Sequence, residues 1–342
     1  MSEKKIEEKV NQTIEKIDNY IQTLEAMICF SHVLRWDDEK EEFKPNSYSF
    51  IARNMDTSEN NRITPKNEIT PDLIVQLDDN YGIVCEAKKS FPQNRNLWKR
   101  NFNQLQKYDD ELKGWKTSKE YIETSDIVLL TYYKIKVGVS DYLEENISNK
   151  NLFFDRNFSA IAFQRTLEAN IFLTLEKFYG NLLDAVLNER LRRIVGVPLK
   201  KIIPLNNIKF YDDKPELSYI MEILWNKIFS QYPKMEEFME SGGIKIMTIE
   251  VNVDKLTQKL RKQFSDYIEG DSRQPELPKT KWVKEAMDML VRLNYAKKDD
   301  KEDNNYTVKY KSIRNTLQRF IREIYESQSN KKVKKTLNNF IK

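Results

Sequence analysis

The sequence has few of the residues that build metal clusters or disulfides. Its 342 residues include two cysteines, Cys29 and Cys85, and a single histidine, His32. Two cysteines cannot supply a four-cysteine zinc site or a disulfide framework. A zinc enzyme and a serine hydrolase that uses a distant histidine are therefore set aside as first hypotheses.

Long hydrophobic runs are missing as well. The longest runs, such as residues 127–130, have the length of a strand, whereas a transmembrane helix needs about 20 apolar residues. The first ten residues are charged and lack the apolar segment of a signal peptide. We therefore expect a cytoplasmic protein without a membrane partner.

A phosphate-binding loop of the GxxxxGKS/T type is absent too. An ATP-driven motor would therefore be a separate chain, and a separate sensor subunit is another candidate partner.

The charge of the chain is unevenly distributed. Residues 251–342 carry 22 Lys and Arg against 13 Asp and Glu, a balance of +9. Residues 1–250 carry 35 against 40, a balance of −5, which leaves the formal net charge of +4. A basic C-terminal part favours a polyanionic partner, because each neutralised phosphate releases counterions. A solvated lysine-rich surface is the alternative interpretation.

The chain length predicts two domains, at roughly 100 to 200 residues each. We place a first domain with a long N-terminal helix at residues 1–195 and a linker at 196–214. A second domain follows at 215–312, and a C-terminal helix with a basic tail occupies 313–342.

The N-terminal helix is predicted from apolar residues spaced alternately by four and three positions. They are Val10, Ile14, Ile17, Ile21, Leu24 and Ile28. Such a stripe lies on one face of a helix. Three heptads of this kind can join two chains into a homo-oligomer, but a helix that packs on its own domain has the same pattern. We favour packing within the chain.

The rest of the first domain predicts a mixed α/β layer. Short β-prone segments at 73–77 and 83–88 flank a polar turn, which is typical of a hairpin. A short strand is expected before them at 47–52. After them the pattern predicts a helix at 96–112, strands at 127–133 and 159–164, and a helical segment over 171–194 that would cover one face of the sheet.

The second domain has a different order of elements. The pattern predicts, in sequence, a helix at 217–231, a strand at 244–251, helices at 253–264 and 282–293, and strands at 295–298 and 306–310. This order resembles a winged-helix domain, whose third helix commonly lies in the DNA major groove. Dimerisation and docking to a partner protein remain alternative roles for this domain. A last helix is expected at 313–325, before a tail at 331–342 that carries five lysines.

A group of charged residues on the predicted hairpin is the candidate for chemistry. Pro71-Asp72 is separated by thirteen residues from Glu86-Ala87-Lys88. Because side chains alternate across a strand, Glu86 and Lys88 project from one face while Cys85 and Ala87 project from the other. The hairpin brings Asp72 beside Glu86, and two adjacent carboxylates repel each other unless a cation lies between them. Mg²⁺ suits such a site, since it takes a few carboxylate oxygens, water and substrate phosphate.

These residues resemble the PD-(D/E)XK nuclease superfamily, which has the restriction-endonuclease-like fold. The resemblance covers about residues 20–165 and implies a mixed sheet flanked by helices. It implies that Asp72, Glu86 and the Ala87 carbonyl bind Mg²⁺, with Mn²⁺ as a substitute, and that Lys88 is the catalytic lysine. Gln104 and Tyr108 resemble the QxxxY element of the RecB-type branch, where they lie near the active site and the DNA.

The family usually adds an acidic residue or a histidine from its first helix. Glu25 and His32 are seven residues apart, which is two helical turns, so they share a face. Either residue is a candidate for a further metal ligand. The hairpin's Cys85 is expected in the core.

Basic residues near the motif and in the second domain are candidates for phosphate contacts. The predicted nucleic-acid-binding residues are Lys89, Arg95, Lys99, Arg100, Lys107, Tyr108, Lys279, Lys281, Lys297 and Lys298. Acidic residues at 299, 300, 302 and 303 oppose the last two lysines.

The sequence thus predicts a Mg²⁺-dependent nuclease that acts on DNA. By resemblance, such enzymes serve restriction, antiviral defence, mobile elements or repair, and we favour restriction or defence. A non-catalytic DNA- or protein-binding subunit that keeps the nuclease fold is the rival, and an RNase with the same site is a third possibility.

Overall fold

The structure is a computed structural model, and it divides into two compact units. It describes residues 2–34, 36–37, 42–43, 48–57, 68–116, 122, 124–166, 172–199, 208–232, 247–265 and 272–340. The first unit, here called the sheet unit, comprises Ile21–Asp212 and Asp266–Pro275. The second, here called the C-terminal unit, comprises Met1–Tyr20, Asp213–Ser265 and Glu276–Lys342. Two polar segments, an acidic run at 37–42 and a stretch at 44–70, lie partly outside the described residues.

The sheet unit contains both helices and strands. In chain order they are α1 (Glu3–Val33), β1 (Trp36–Asp37), β2 (Glu42–Phe43), β3 (Tyr48–Ile51), β4 (Met55–Thr57), β5 (Glu68–Ile69), β6 (Leu73–Gln76), β7 (Tyr81–Lys88), α2 (Trp98–Gln106), β8 (Leu112–Lys113), β9 (Thr124–Tyr132), α3 (Lys136–Ser148), β10 (Phe158–Thr166), β11 (Phe172–Gly180), α4 (Ala185–Arg190) and β12 (Val195–Pro198). Helix α1 begins in the C-terminal unit and ends in the sheet unit.

A mixed sheet is the centre of this unit. Within the described residues it has seven strands in the order β12-β11-β10-β9-β7-β6-β3. Strands β7, β9 and β10 run parallel, and the strands on either side of them run antiparallel to their neighbours. The predicted mixed α/β layer with flanking helices is therefore confirmed.

The predicted hairpin is formed by β6 and β7. Leu73 pairs with Cys85 and Gln76 with Gly82. The turn is closed by the Asp78 carboxylate, which accepts hydrogen bonds from the amides of Asn80 and Tyr81, both at 2.7 Å. The polar turn between two apolar segments therefore sets the register of the strands that carry the candidate site.

Helices α2 and α3 pack on one face of the sheet. Their shared core joins Phe102, Leu105 and Leu143 to strand residues such as Val84 and Leu129. The helical segment was predicted to run to Leu112, but 3₁₀ turns flank α2 at Arg95–Leu97 and Lys107–Asp109 and end it there. The chain turns away because the Asp109 carboxylate accepts the amides of residues 155 and 156 at 2.7 and 2.8 Å.

The predicted helical pattern over 171–194 is wrong. Residues 172–180 form strand β11, which pairs antiparallel with β10, and α4 is a short helix of six residues. Leu173 and Leu175 are fully buried whereas Phe172 and Thr174 are half-buried, so this segment follows the two-residue period of a strand.

The C-terminal unit contains the second set of elements. They are α5 (Leu217–Ile223), β13 (Met247–Asn252), α6 (Val253–Phe264), α7 (Thr280–Arg292), β14 (Ala296–Lys298), β15 (Asn305–Tyr310) and α8 (Thr316–Phe340). A π turn and a 3₁₀ turn extend α5 to Gln231, so helical turns cover the whole of the predicted helix at 217–231. The sheet order is β13-β15-β14, and the predicted order of helices and strands is confirmed in the described residues.

Two long helices differ from their predictions. In α1 the stripe residues Val10, Ile17 and Leu24 are buried, but Ala26, Met27, Cys29 and Phe30 are buried too, so the last third of the helix is enclosed on several sides. The final helix, α8, was expected to end at Tyr325 and instead continues to Phe340. Among the described residues, no helix combines the length and the apolar character that crossing a membrane requires.

Candidate active site

The residues of the predicted motif lie where strand β7 ends. In β7, Glu86 and Lys88 pair in parallel register with Leu129 and Thr131 of β9. The Thr131 hydroxyl donates to the Lys88 carbonyl at 3.0 Å, which holds the two strand ends together. Ligand sites in such sheets commonly lie at the carboxyl ends of parallel strands.

Asp72 lies directly across the hairpin from this end. Leu73 pairs with Cys85, so the next step of the same register places Asp72 opposite Glu86. The Asp72 Oδ2 atom accepts the Ala87 amide at 2.9 Å. In an extended strand the N–H and C=O of one residue point to the same edge, so the Ala87 carbonyl is directed toward Asp72 as well. The structure thus brings together the three groups that the resemblance assigns to metal binding.

Glu86 is the most deeply buried charged group of the site. It is 1% exposed, and Lys88 Nζ forms an ion pair with its Oε1 atom. The Tyr108 hydroxyl donates to Oε2 at 2.5 Å, and Gln104 Nε2 donates to that hydroxyl at 3.3 Å. Gln104 and Tyr108 therefore reach the site through a hydrogen-bonded chain. This is the arrangement needed to fix the orientation of a carboxylate.

The two carboxylates act on the same neighbours. Burial raises the pKa of the Cys85 thiol well above its usual value, and the charges of Asp72 and Glu86 raise it further. Burial and the same two charges also raise the pKa of Tyr108, so its hydroxyl stays protonated and remains a donor to Glu86. Two acidic groups that both influence one thiol and one phenol share a single electrostatic neighbourhood. Cys85 is fully buried, as predicted for a core residue.

The structure shows other partners for Glu25 and His32 of α1. The Glu25 carboxylate is paired with Arg165 of β10, whose Nε donates to Oε2 at 2.9 Å. His32 Nδ1 lies 2.7 Å from the Ile28 carbonyl of its own helix. Among the described residues, no three His, Cys, Asp or Glu side chains are arranged to hold a metal ion. A metal at this site would therefore depend on Asp72, Glu86, a backbone carbonyl and water.

Helix α1 makes two contacts with the sheet that the sequence did not reveal, through Gln22 and through Arg165 of β10. Gln22 accepts a hydrogen bond from Lys89 Nζ at 2.7 Å, and the same ammonium lies 4.6 Å from the ring centre of Tyr132 at the end of β9. Arg165 and Ala160 are an odd number of positions apart on β10, so their side chains project from opposite faces of the sheet. Ala160 packs against α2 and α3, and Arg165 therefore lies on the other face. These contacts join residues 67 and 140 positions apart, which no local pattern signals.

The other predicted nucleic-acid contacts are mostly exposed cations. Lys99, Arg100 and Lys107 of the α2 segment are exposed, and Arg95 lies 3.6 Å from Asp141. In the C-terminal unit, Lys279, Lys281 and Lys297 are exposed, and Lys298 is paired with Asp303. Tyr108, in contrast, is buried and bonded to Glu86, so its predicted contact with nucleic acid is not supported by its position.

The donor set fits a hard divalent cation. Mg²⁺ is usually held by one or two carboxylates and keeps several waters, so it does not require a third acidic side chain. Asp72, Glu86 and the Ala87 carbonyl supply oxygen atoms of the kind it prefers. The nearest sulfur ligand, Cys85, lies on the other face of β7. The chemistry of the site therefore favours Mg²⁺ or Mn²⁺ over a thiophilic metal.

Another buried acid, Asp126 at the start of β9, serves the fold. Its carboxylate accepts hydrogen bonds from the Tyr81 hydroxyl at 2.6 Å and from the Leu183 amide at 2.7 Å. Burial raises its pKa, and these bonds oppose that shift. Because the donors come from β7 and from the segment before α4, Asp126 connects structural elements at the opposite end of the strands from Glu86.

Comparison of the chain with protein-family models, with curated proteins and with solved structures finds no match.

Proposed function

We propose that the chain is a Mg²⁺-dependent nuclease that hydrolyses phosphodiester bonds in DNA. In this proposal the sheet unit is a restriction-endonuclease-like domain and the C-terminal unit is a winged-helix-like domain. Asp72, Glu86 and the Ala87 carbonyl hold the cation, and Lys88 is the catalytic lysine. The observation that carries the proposal is the convergence of Asp72, Glu86 and Lys88 at one end of β7.

The chemistry follows from the charges at this end of the sheet. A bound divalent cation supplies charge stabilisation on phosphoryl oxygens and activates water at neutral pH. The Lys88 side chain contacts Glu86 and is a quarter exposed, so a phosphate that approaches from solvent can reach it. This position supports charge neutralisation by Lys88 in the transition state. A role in orienting the attacking water is compatible with the same position.

The remaining side chains prepare the site. Tyr108 orients Glu86 and Gln104 orients Tyr108, so both are positioning residues. Lys89 and the exposed cations of α2 lie along the same part of the chain and would contact the phosphate backbone. Phosphate contacts of this type fix the position of a strand without reading its sequence.

One observation favours the rival function, a non-catalytic DNA-binding subunit. Both oxygen atoms of Glu86 already have protein partners, one in Lys88 and one in Tyr108. A carboxylate that is fully satisfied by its neighbours can serve as a structural group in a buried network. Such a subunit would bind DNA equally well with and without EDTA.

The decisive experiment is a cleavage assay with a matched lysine control. The purified chain is incubated with supercoiled, linear and single-stranded DNA and with RNA, each with Mg²⁺, Mn²⁺ or EDTA. We expect cleavage of DNA that EDTA abolishes and that Lys88→Ala reduces by at least about a hundredfold. Lys262→Ala, at an exposed position of α6, is expected to cleave like the wild type.

The outcomes separate the possible functions. Cleavage of RNA alone would make the enzyme an RNase with the same site. Equal cleavage by Lys88→Ala and the wild type would contradict the assigned site. No cleavage of any substrate, together with binding that EDTA leaves unchanged, would favour the non-catalytic subunit.

A further inference from the structure

A polar cavity lies between helices α2 and α3 of the sheet unit. Its volume is about 580 Å³, within the range of sites that bind small molecules. The lining comes from the turn before α2, from both helices and from the segment after α3. The residues of the proposed catalytic site do not line it.

One wall of the cavity is aromatic. Phe102 of α2 and Tyr142 of α3 stack with ring centres 4.9 Å apart and an angle of 16° between their planes. Phe102 is nearly fully buried and Tyr142 is half-buried, so Tyr142 presents the accessible surface of the pair and Phe102 supports it from the core. Leu152 adds a buried apolar surface. A planar heterocycle can pack against such a wall.

Four asparagine side chains surround this wall. They belong to residues 96, 103, 146 and 151. Asn146 donates one amide hydrogen to the Tyr142 carbonyl at 2.9 Å, which fixes its orientation. In the described part of the chain, the side chains of Asn103 and Asn151 make no hydrogen bond. Carboxamides offer a donor and an acceptor together, which is the pattern that pairs with the edge of a nucleobase.

The charges of the lining suit a single phosphate. Arg95 and Lys99 contribute two positive charges and Glu145 one negative charge, so the lining carries a net +1. Arg95 already lies 3.6 Å from Asp141 at the surface. Lys99 forms no ion pair with any described residue, so its ammonium can take a phosphate oxygen. The net positive charge of the lining favours an anionic phosphate group.

We propose that this cavity binds a nucleotide, with the base against Tyr142 and the phosphate at Lys99. The nucleotide can come from two sources, an unpaired position of a nucleic-acid strand or a free mononucleotide. Binding itself does not depend on cleavage. In the first case the role of the cavity in holding a substrate strand rests on the proposed nuclease function.

The test measures binding without turnover. A fluorescein-labelled single-stranded DNA of six nucleotides is titrated in EDTA and followed by anisotropy, and the four deoxynucleoside 5′-monophosphates are titrated by calorimetry. The proteins are the wild type, Asn103→Ala, Lys99→Gln and, as a matched control, Asn11→Ala. Asn11 is likewise an exposed asparagine of a helix, and it does not line the cavity.

We expect Asn103→Ala and Lys99→Gln each to weaken binding roughly fivefold, and Asn11→Ala to leave it unchanged. Loss of oligonucleotide binding alone identifies a strand as the source, and loss of mononucleotide binding alone identifies a free nucleotide. Equal affinity of the wild type and both cavity variants for every probe would overturn the proposal. Because binding is measured in EDTA without turnover, this result and the cleavage assay can fail independently.

Discussion

At the scale of single residues, the site depends on how Glu86 is compensated. The Glu86 carboxylate is 1% exposed, and burying a charge so deeply costs free energy unless its oxygen atoms are paired and hydrogen-bonded. Lys88 compensates one oxygen and Tyr108 the other. The same two contacts hold the carboxylate in one orientation toward Asp72. Stability and positioning therefore depend on the same hydrogen bonds.

Removal of the Tyr108 hydroxyl tests this dependence. In Tyr108→Phe the ring still fills its place in the core, but Glu86 loses a charge-assisted hydrogen bond. We expect the free energy of unfolding to fall by about 2 kcal/mol in urea denaturation at pH 7. If the proposed nuclease function holds, the cleavage rate should fall as well, while DNA binding stays close to that of the wild type.

Tyr133→Phe is the control for this variant. Tyr133 is about half exposed, at 46%, and its hydroxyl makes no hydrogen bond with a described residue, so we expect a change close to zero. Equal stability of Tyr108→Phe and the wild type would show that the hydroxyl is not needed to compensate Glu86.

At the scale of elements, the sequence predicts what local chemistry determines. The β6–β7 hairpin was predictable because Asp78 and Gly82 mark a turn between two apolar segments. The alternation of β7 then put Glu86 and Lys88 on one face. The extent of α2 was not predictable, since Asp109 ends the helical segment through amides 46 and 47 residues later.

Strand β11 shows where periodicity misleads. Residues 171–194 contain enough apolar side chains at spacings of three and four to suggest a helix. What makes residues 172–180 a strand is the edge of β10, which offers a ladder of hydrogen-bonding groups. The ion pair between Glu25 and Arg165 is hidden for a similar reason, because it connects α1 to β10 across the sheet. Tertiary pairing thus decided the parts of the fold that the local pattern misassigned.

Gly180 at the end of β11 gives an element-scale prediction. Its φ is +68°, and a Cβ atom would lie 1.9 Å from the Phe158 carbonyl oxygen of the neighbouring strand. Gly180→Ala therefore combines a left-handed backbone with a backbone collision. We expect a loss of about 3 kcal/mol in the free energy of unfolding, measured by urea denaturation.

Gly196→Ala in β12 is the matched control for this substitution. The nearest atom to its added Cβ would be Phe172 Cδ1 at 3.7 Å, which is ordinary contact. We expect a change of less than about 1 kcal/mol. Similar losses in both variants would mean that the end of β11 can move away from Phe158.

At the scale of the whole molecule, some basic side chains are exposed and others are neutralised by acidic partners. In the C-terminal unit, Lys284 and Lys298 both contact Asp303. Hydrogen bonds from these lysines lower the pKa of Asp303 to about 2, so the carboxylate stays ionised above that pH. The predicted phosphate contact by Lys298 therefore competes with Asp303, whereas Lys281 and Lys297 are exposed. Much of the basic excess lies further along the chain, where residues 330–342 carry five lysines and no acidic residue.

The five lysines of residues 330–342 allow a prediction about DNA affinity that is independent of the active site. Replacement of all five by Gln changes the formal net charge from +4 to −1. We expect weaker binding to duplex DNA and a shallower dependence of the binding constant on salt, by about 0.9 units of slope for each lysine that contacts a phosphate. Fluorescence anisotropy titrations at salt concentrations of about 50 to 200 mM measure both the affinity and its dependence on salt. The same positions changed to Arg keep the charge and should retain the affinity and the slope of the wild type. If the Gln variant binds with an unchanged slope, the polyanion is held elsewhere, and the exposed cations of α2 become the expected contact surface.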